Sequence, residues 1–115
     1  MAKSITRGEL QVRLAANPRL TLLEALPEKY YKAGHLPGAL HFPHDQARAL
    51  APGMLPDKVA EIVLYCASGT CQNSHTAART LESLGYYDVA VYAGGKQDWT
   101  DAGLPLEQAA RTDVA

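Results

Sequence analysis

Long apolar segments are absent from this sequence of 115 residues. No run of residues approaches the roughly 18 consecutive apolar positions of a membrane-spanning helix. The first ten residues carry Lys3, Arg7 and Glu9, and they lack the apolar stretch of a secretory signal. The sequence therefore predicts a cytoplasmic protein that does not contact a membrane.

An excess of charge of one sign is also missing. Eleven Lys and Arg residues stand against twelve Asp and Glu residues, which gives a net charge of −1, and no run of like charge is present. A basic patch or stripe is the usual electrostatic footprint of a protein that binds nucleic acid. We therefore predict no nucleic-acid partner.

Cysteine is scarce, since only Cys66 and Cys71 are present. Two cysteines five residues apart in a reducing compartment indicate catalytic or redox chemistry more than a structural disulfide. Together with His75 they offer at most three metal ligands, and they lack the Cys-x-x-Cys spacing of a zinc site. The sequence thus predicts no bound metal.

The sequence that is present alternates short apolar strands with helices. The strands are predicted at 20–23, 39–42, 62–66 and 89–92, and the helices at 6–14, 44–50, 74–84 and 97–101. Ser4 or Thr6 is the expected N-cap of the first helix, and Pro52-Gly53 is expected to break the second. This alternation predicts one α/β domain over 1–115, with a parallel sheet covered on both faces. Its core is expected to span about 5–107, followed by a frayed tail.

Cys66 ends the most strongly apolar and β-branched of these strands. Ligands of parallel sheets bind beyond the carboxyl ends of the strands. The next segment, 67–73, is small and polar, and it leads into a helix that Asn73 or Ser74 is expected to cap. Backbone N–H groups of such a loop form a concave anion site that lowers the pKa of a thiol. Cys66 is therefore the candidate nucleophile, although a cysteine at a strand end is often only a small core residue.

From these residues onward the sequence resembles the rhodanese-like domain family. The similarity covers about residues 20–107, and its motifs follow one another in the family's order. They are Gly34-His35-Leu36-Pro37-Gly38-Ala39, the strand and loop of 62–69, the helix segments 77–81 and 85–86, and the closing residues 91–95, Trp99 and 103–107.

This resemblance implies a rhodanese-like α/β fold with about five parallel strands and helices on both faces. It also implies a sulfurtransferase that carries sulfur as a persulfide on Cys66, without a metal or an organic cofactor. The donor would be a small sulfur-containing anion or a protein persulfide, and the acceptor a thiol or a cyanide-like nucleophile. The anion cradle would consist of the backbone amides of Ala67, Ser68, Gly69, Thr70, Cys71, Gln72 and Asn73.

The sequence departs from the family pattern at two places. Many members carry Asp-x-Arg after the first strand, where this chain has Glu24-Ala25-Leu26, and many carry a loop arginine where this chain has Cys71. Without that arginine, a dianion such as thiosulfate loses a bidentate partner. We therefore expect weak use of thiosulfate and a different donor, such as a polysulfide or a protein persulfide.

Several alternatives stay open at this point. Cys71 is a resolving thiol for Cys66, a relay for its sulfur, or a plain loop residue. His75 either tunes the thiol or faces solvent. The domain as a whole is alternatively a non-catalytic or redox-sensing module that uses Cys66 and Cys71. A phosphatase or arsenate reductase is disfavoured, because Gln72 stands where those enzymes place an arginine.

Overall fold

The structure is a computed structural model that describes residues 3–108, so all of the expected tail after Gln108 lies outside the described residues. Five strands form one sheet in the order β1-β5-β4-β2-β3, and every neighbouring pair is parallel. The strands are β1 (Lys3–Ile5), β2 (Thr21–Glu24), β3 (Leu40–His41), β4 (Ile62–Tyr65) and β5 (Val89–Tyr92). The predicted five-stranded parallel sheet is confirmed.

Helices cover both faces of the sheet, as predicted. They are α1 (Arg7–Ala16), α2 (Glu28–Ala33), α3 (Ala47–Met54), α4 (Asn73–Ser83) and α5 (Gly95–Asp101), with a 3-10 turn at His44–Gln46. One buried cluster joins the sheet to α3 and α4, and a second joins its other face to α1 and α5. No helix within residues 3–108 is long and apolar enough to cross a membrane.

The N-terminal segment contains a strand and a helix, whereas only the helix was predicted. Thr6 is the N-cap of α1, because its hydroxyl accepts a bond from the Glu9 amide at 3.1 Å while the Glu9 carboxylate accepts one from the Thr6 amide at 2.8 Å. Thr6 is one of the two expected caps, and the helix extends two residues past Leu14. The three residues before it form β1, which the sequence analysis missed because a short edge strand carries no apolar period.

The expected break at Pro52-Gly53 is wrong. Helix α3 continues through both residues to Met54, and the Leu55 amide still donates to the Ala51 carbonyl at 2.7 Å. Pro52 removes one amide from the helical ladder, but Ala51 is fully buried and Leu50 and Met54 pack on the same core cluster. Packing of this apolar face outweighs the local preference of proline.

The strand order creates a crevice beside β4. The chain leaves β2 toward β3 on one side of the sheet, and it leaves β4 toward β5 on the other side, although β2 and β4 are neighbours. Where connections diverge in this way, the carboxyl ends of the two strands border the usual binding crevice of an open α/β sheet. Glu24 ends β2 at this point, and Cys66 follows the last residue of β4.

Candidate active site

Cys66 lies at the carboxyl end of β4 and is 2% exposed. Side chains alternate between the two faces along a strand. Leu64 belongs to the core shared with α3 and α4, and Tyr65 belongs to the core shared with α1 and α5. Cys66 returns to the α4 side, where its sulfur reaches the first turn of that helix.

Two oxygen atoms contact the Cys66 sulfur. The thiol donates to the backbone carbonyl of Cys71 at 3.3 Å, and Sγ lies 3.4 Å from the hydroxyl oxygen of Ser74. The capping role expected for Asn73 or Ser74 is wrong, because the N-cap is Gln72 and makes no side-chain cap bond. Ser74 lies within the helix, is 2% exposed, and presents its hydroxyl to the sulfur instead.

The electrostatics of the thiol also differ from the prediction. Burial raises the pKa of Cys66 above its ordinary value, and the side chain of Cys71 raises it further. The Ser74 side chain and backbone act in the opposite direction and lower this pKa. The expected lowering is therefore wrong for this structure, since desolvation and the neighbouring Cys71 side chain both favour the neutral thiol.

The loop over the sulfur is held by bonds within itself and from α5. The Cys71 amide donates to the Ser68 carbonyl at 3.1 Å, and the α5 amides of Lys96 and Gln97 donate to the carbonyls of Cys66 and Ala67, each at 2.8 Å. Gly95 permits this approach, because it has a φ of +70° and a Cβ there would lie 2.6 Å from the Cys66 carbonyl oxygen. The start of α5 therefore abuts the start of the loop.

The other predicted site residues surround Cys66 at different depths. Ala67, Gly69, Thr70 and Gln72 are exposed, whereas Ser68, Cys71, Asn73 and His75 are half-buried. The hydroxyls of Ser68 and Thr70 lie 3.1 Å apart. Both cysteines are free thiols, and within residues 3–108 no hydrogen bond joins His75 to Cys66.

A buried charged cluster behind the loop was not predicted from the sequence. Glu24 is fully buried, its carboxylate accepts a bond from the Tyr65 hydroxyl at 2.6 Å, and it forms an ion pair with Lys96 Nζ at 3.1 Å. The Tyr65 oxygen accepts a bond from the Leu36 amide at 3.0 Å, and Lys96 Nζ donates to the Tyr30 carbonyl at 3.0 Å. Only Glu24 carried a signal, as the residue at the family's Asp position, and nothing marked Lys96.

Cations and metal ligands are scarce around the sulfur. The loop of residues 67–73 contains neither Lys nor Arg, and Arg79 on α4 is exposed. Among the described residues, no three His, Cys, Asp or Glu side chains are grouped so that they could hold a metal ion. The arrangement offers a thiol, a serine hydroxyl and backbone groups, which suits nucleophilic chemistry at sulfur.

Comparison with known proteins agrees with this geometry. The sequence model of the rhodanese-like domain matches residues 6–102. The chain belongs to the rhodanese-like domain family. The expected family is thus confirmed, and the matched segment contains Cys66, its loop and the Glu24–Lys96 pair.

Two curated relatives of this rhodanese-like domain differ in their named roles. An HTH-type transcriptional regulator of Mycobacterium tuberculosis is 33% identical over 107 residues, which cover 93% of this chain and 46% of the regulator. A thiosulfate:glutathione sulfurtransferase of Saccharomyces cerevisiae is 29% identical over 98 residues, which cover 76% of this chain and 69% of that enzyme. This chain therefore spans less than half of the regulator's length.

A solved structure shares the rhodanese-like fold. The human single-domain sulfurtransferase superimposes with a TM-score of 0.75 at 26% identity, and the match covers 88% of this chain and 97% of the human protein. Homology to sulfurtransferases therefore extends over nearly the whole rhodanese-like domain.

Proposed function

We propose that this rhodanese-like domain is a sulfurtransferase that carries sulfane sulfur as a persulfide on Cys66. The observation that carries the proposal is the position of the Cys66 thiol. It follows β4 at the crevice between β2 and β4, beneath a loop that closes over it from 67–73. Relatives named as sulfurtransferases support the same chemistry.

The reaction consists of two transfers at sulfur. The Cys66 thiolate attacks the sulfane sulfur of the donor, a new S–S bond forms, and the donor's leaving group departs with the electron pair of the broken bond. For thiosulfate this leaving group is sulfite. An acceptor thiolate or a cyanide-like nucleophile then attacks the terminal sulfur, and Cys66 leaves as the thiolate, so the chain returns to its initial state.

The loop composition favours a donor other than thiosulfate. With no Lys or Arg between Ala67 and Asn73, a dianionic donor finds no bidentate cation in the loop. A protein persulfide presents at most one negative charge to the site, and a polysulfide holds its two charges at opposite ends of a sulfur chain, so neither needs the bidentate cation that a sulfonate group binds. The yeast relative is named for a thiosulfate donor and a glutathione acceptor, and a small thiol is accordingly the acceptor class that we favour.

A redox-sensing module is the second candidate. Cys66 and Cys71 belong to one loop, both are free, and the Cys71 carbonyl lies 3.3 Å from the Cys66 sulfur. One relative is named as a transcriptional regulator, which is compatible with a signalling role. A phosphatase stays disfavoured, because the loop has no guanidinium to bind an oxyanion.

Mass spectrometry of the intact protein and its peptides tests the proposal. The wild type, Cys66→Ser and Cys71→Ser are each incubated with thiosulfate and, separately, with polysulfide. We expect one added sulfur on Cys66, greater labelling by polysulfide than by thiosulfate, and loss of labelling in Cys66→Ser alone.

The same samples separate the two candidates. An absence of added sulfur with either donor would exclude the carrier role. A Cys66–Cys71 disulfide that forms under mild oxidation, without any sulfur loading, would support the redox-sensing module instead.

A further inference from the structure

The cluster of Glu24, Tyr65 and Lys96 lies directly behind the strand end that carries Cys66. Glu24 is a carboxylate with no exposed surface, and the Lys96 side chain is 17% exposed. An ion pair removed from water this far is costly to bury and contributes little net stability. Its position therefore calls for an explanation other than stability.

Lys96 contacts this part of the molecule twice. Its backbone amide donates to the Cys66 carbonyl at 2.8 Å, and its ammonium binds the Glu24 carboxylate at 3.1 Å and the Tyr30 carbonyl at 3.0 Å. Glu24 in turn accepts a bond from Tyr65, the residue immediately before Cys66. Lys96 thus fixes the start of α5 against the ends of both β2 and β4.

The bonds from α5 set the orientation of the first peptide units in the loop. In a trans peptide unit the carbonyl and the following amide N–H point in opposite directions. The carbonyls of Cys66 and Ala67 point at the amides of Lys96 and Gln97. The N–H groups of Ala67 and Ser68 must consequently point away from α5.

We infer that Lys96 is a positioning residue for the sulfur cradle. The ion pair with Glu24 locks the start of α5, and α5 turns the first two amides of the loop toward the α4 side of the sheet, on which the Cys66 sulfur lies. This inference rests on the proposed role of Cys66 as a sulfur carrier. It also gives a cationic residue a place at the site of a chain whose loop has no arginine.

The test replaces both members of the pair, because a single replacement would leave Glu24 buried without a cation. In Glu24→Gln/Lys96→Met the amide still accepts from Tyr65, and the methionine keeps the aliphatic length of lysine. The matched control is Glu28→Gln/Lys32→Met, which makes the same change in an exposed pair with a 3.3 Å separation. Lys96→Arg keeps the charge and serves as the conservative rescue.

The main readout is the rate of Cys66 alkylation by iodoacetamide as a function of pH, which reports the thiolate without needing sulfur transfer. We expect the profile of the double variant to move up by about one pH unit, a loss of about ten-fold in rate at pH 7. Persulfide loading by polysulfide should slow with it. The exposed control and Lys96→Arg should keep the wild-type profile.

An unchanged alkylation profile in a folded double variant would overturn the inference. If the double variant does not fold, Glu24→Gln replaces it, since the amide can still accept from Tyr65 and Lys96 and no buried charge is left without a partner, and it should shift the profile upward by a smaller amount. Failure of the proposed function would give a different experimental result. The wild type would then take up no sulfur, while the alkylation profiles would still decide the role of Lys96.

Discussion

The two faces of the sheet are built differently around one strand end. Tyr65 and Cys66 are consecutive, yet Tyr65 lies in a cluster that contains a full ion pair, whereas Cys66 meets only a carbonyl and a hydroxyl. On the side of Tyr65, here called the charged face, the side chains of Glu24, Tyr65 and Lys96 are all hydrogen-bonded, and Glu24 and Tyr65 are fully buried. The neutral face holds a thiol under a largely exposed loop. Buried charged hydrogen bonds are therefore concentrated behind the sulfur, and the more exposed loop groups lie in front of it.

The largest effect is expected from a variant that breaks the ion pair between Glu24 and Lys96. Lys96→Met alone leaves the fully buried Glu24 carboxylate without its cation. Removal of one partner of a buried pair costs about 3–5 kcal/mol of unfolding free energy. Urea denaturation measures this loss, and Glu24→Gln/Lys96→Met should recover most of it. A loss within experimental error for Lys96→Met would mean that solvent reaches Glu24 in solution.

A smaller change on the same face removes only the phenol hydroxyl. In Tyr65→Phe the buried Leu36 amide loses its acceptor and Glu24 loses a donor, although the ion pair with Lys96 stays. Because Glu24 keeps Lys96 as a partner, only the Leu36 amide is left unpaired, which costs about 1–3 kcal/mol. We expect a lower urea midpoint and an alkylation profile of Cys66 that matches the wild type. A shifted profile would show that the hydroxyl, and not only the ion pair, positions the loop.

The sequence predicts the position of Cys66, but it does not predict the ion pair on the other face of the sheet. Strand β4 and the position of Cys66 follow from a local run of apolar, β-branched residues, which is a signal that one segment carries alone. The ion pair joins residues 72 positions apart, and Lys96 belongs to no local pattern. Its role depends on the strand order, which brings β2 and α5 together beside β4.

Elsewhere, tertiary contacts overrule the local preferences of single residues. Serine is a common helix N-cap, yet Ser74 is buried next to Cys66, where its hydroxyl contacts the sulfur instead. Proline commonly ends a helix, yet the apolar face of α3 continues across Pro52. The thiol pKa was expected to fall because the loop offers amides, but the depth of burial and the proximity of the Cys71 side chain are not visible in a sequence.

On the face of the sheet that carries Cys66, we expect the next largest effect from a change at Ser74. Ser74→Ala removes a hydroxyl that lowers the pKa of Cys66, while burial, the main cause of its raised pKa, stays. The alkylation rate should therefore rise with pH over a higher range than in the wild type, and it should fall several-fold at pH 7. Thr76→Ala is the control, since that nearby hydroxyl donates to the Gln72 carbonyl. Equal profiles for both variants would exclude a contact between Ser74 and the sulfur.

The smallest effect is expected at Cys71. The backbone carbonyl that accepts from the Cys66 thiol is retained in Cys71→Ser, so the urea midpoint should stay at its wild-type value. Because the Cys71 side chain raises the pKa of Cys66, its replacement should move the alkylation profile only slightly, toward lower pH. Sulfur loading on Cys66 should persist as well. Mass spectrometry under mild oxidation is the sharper measurement, because only the wild type can form the Cys66–Cys71 disulfide. A loss of loading in Cys71→Ser would assign the second thiol a relay role, and the neutral face would then hold two reactive sulfur atoms instead of one.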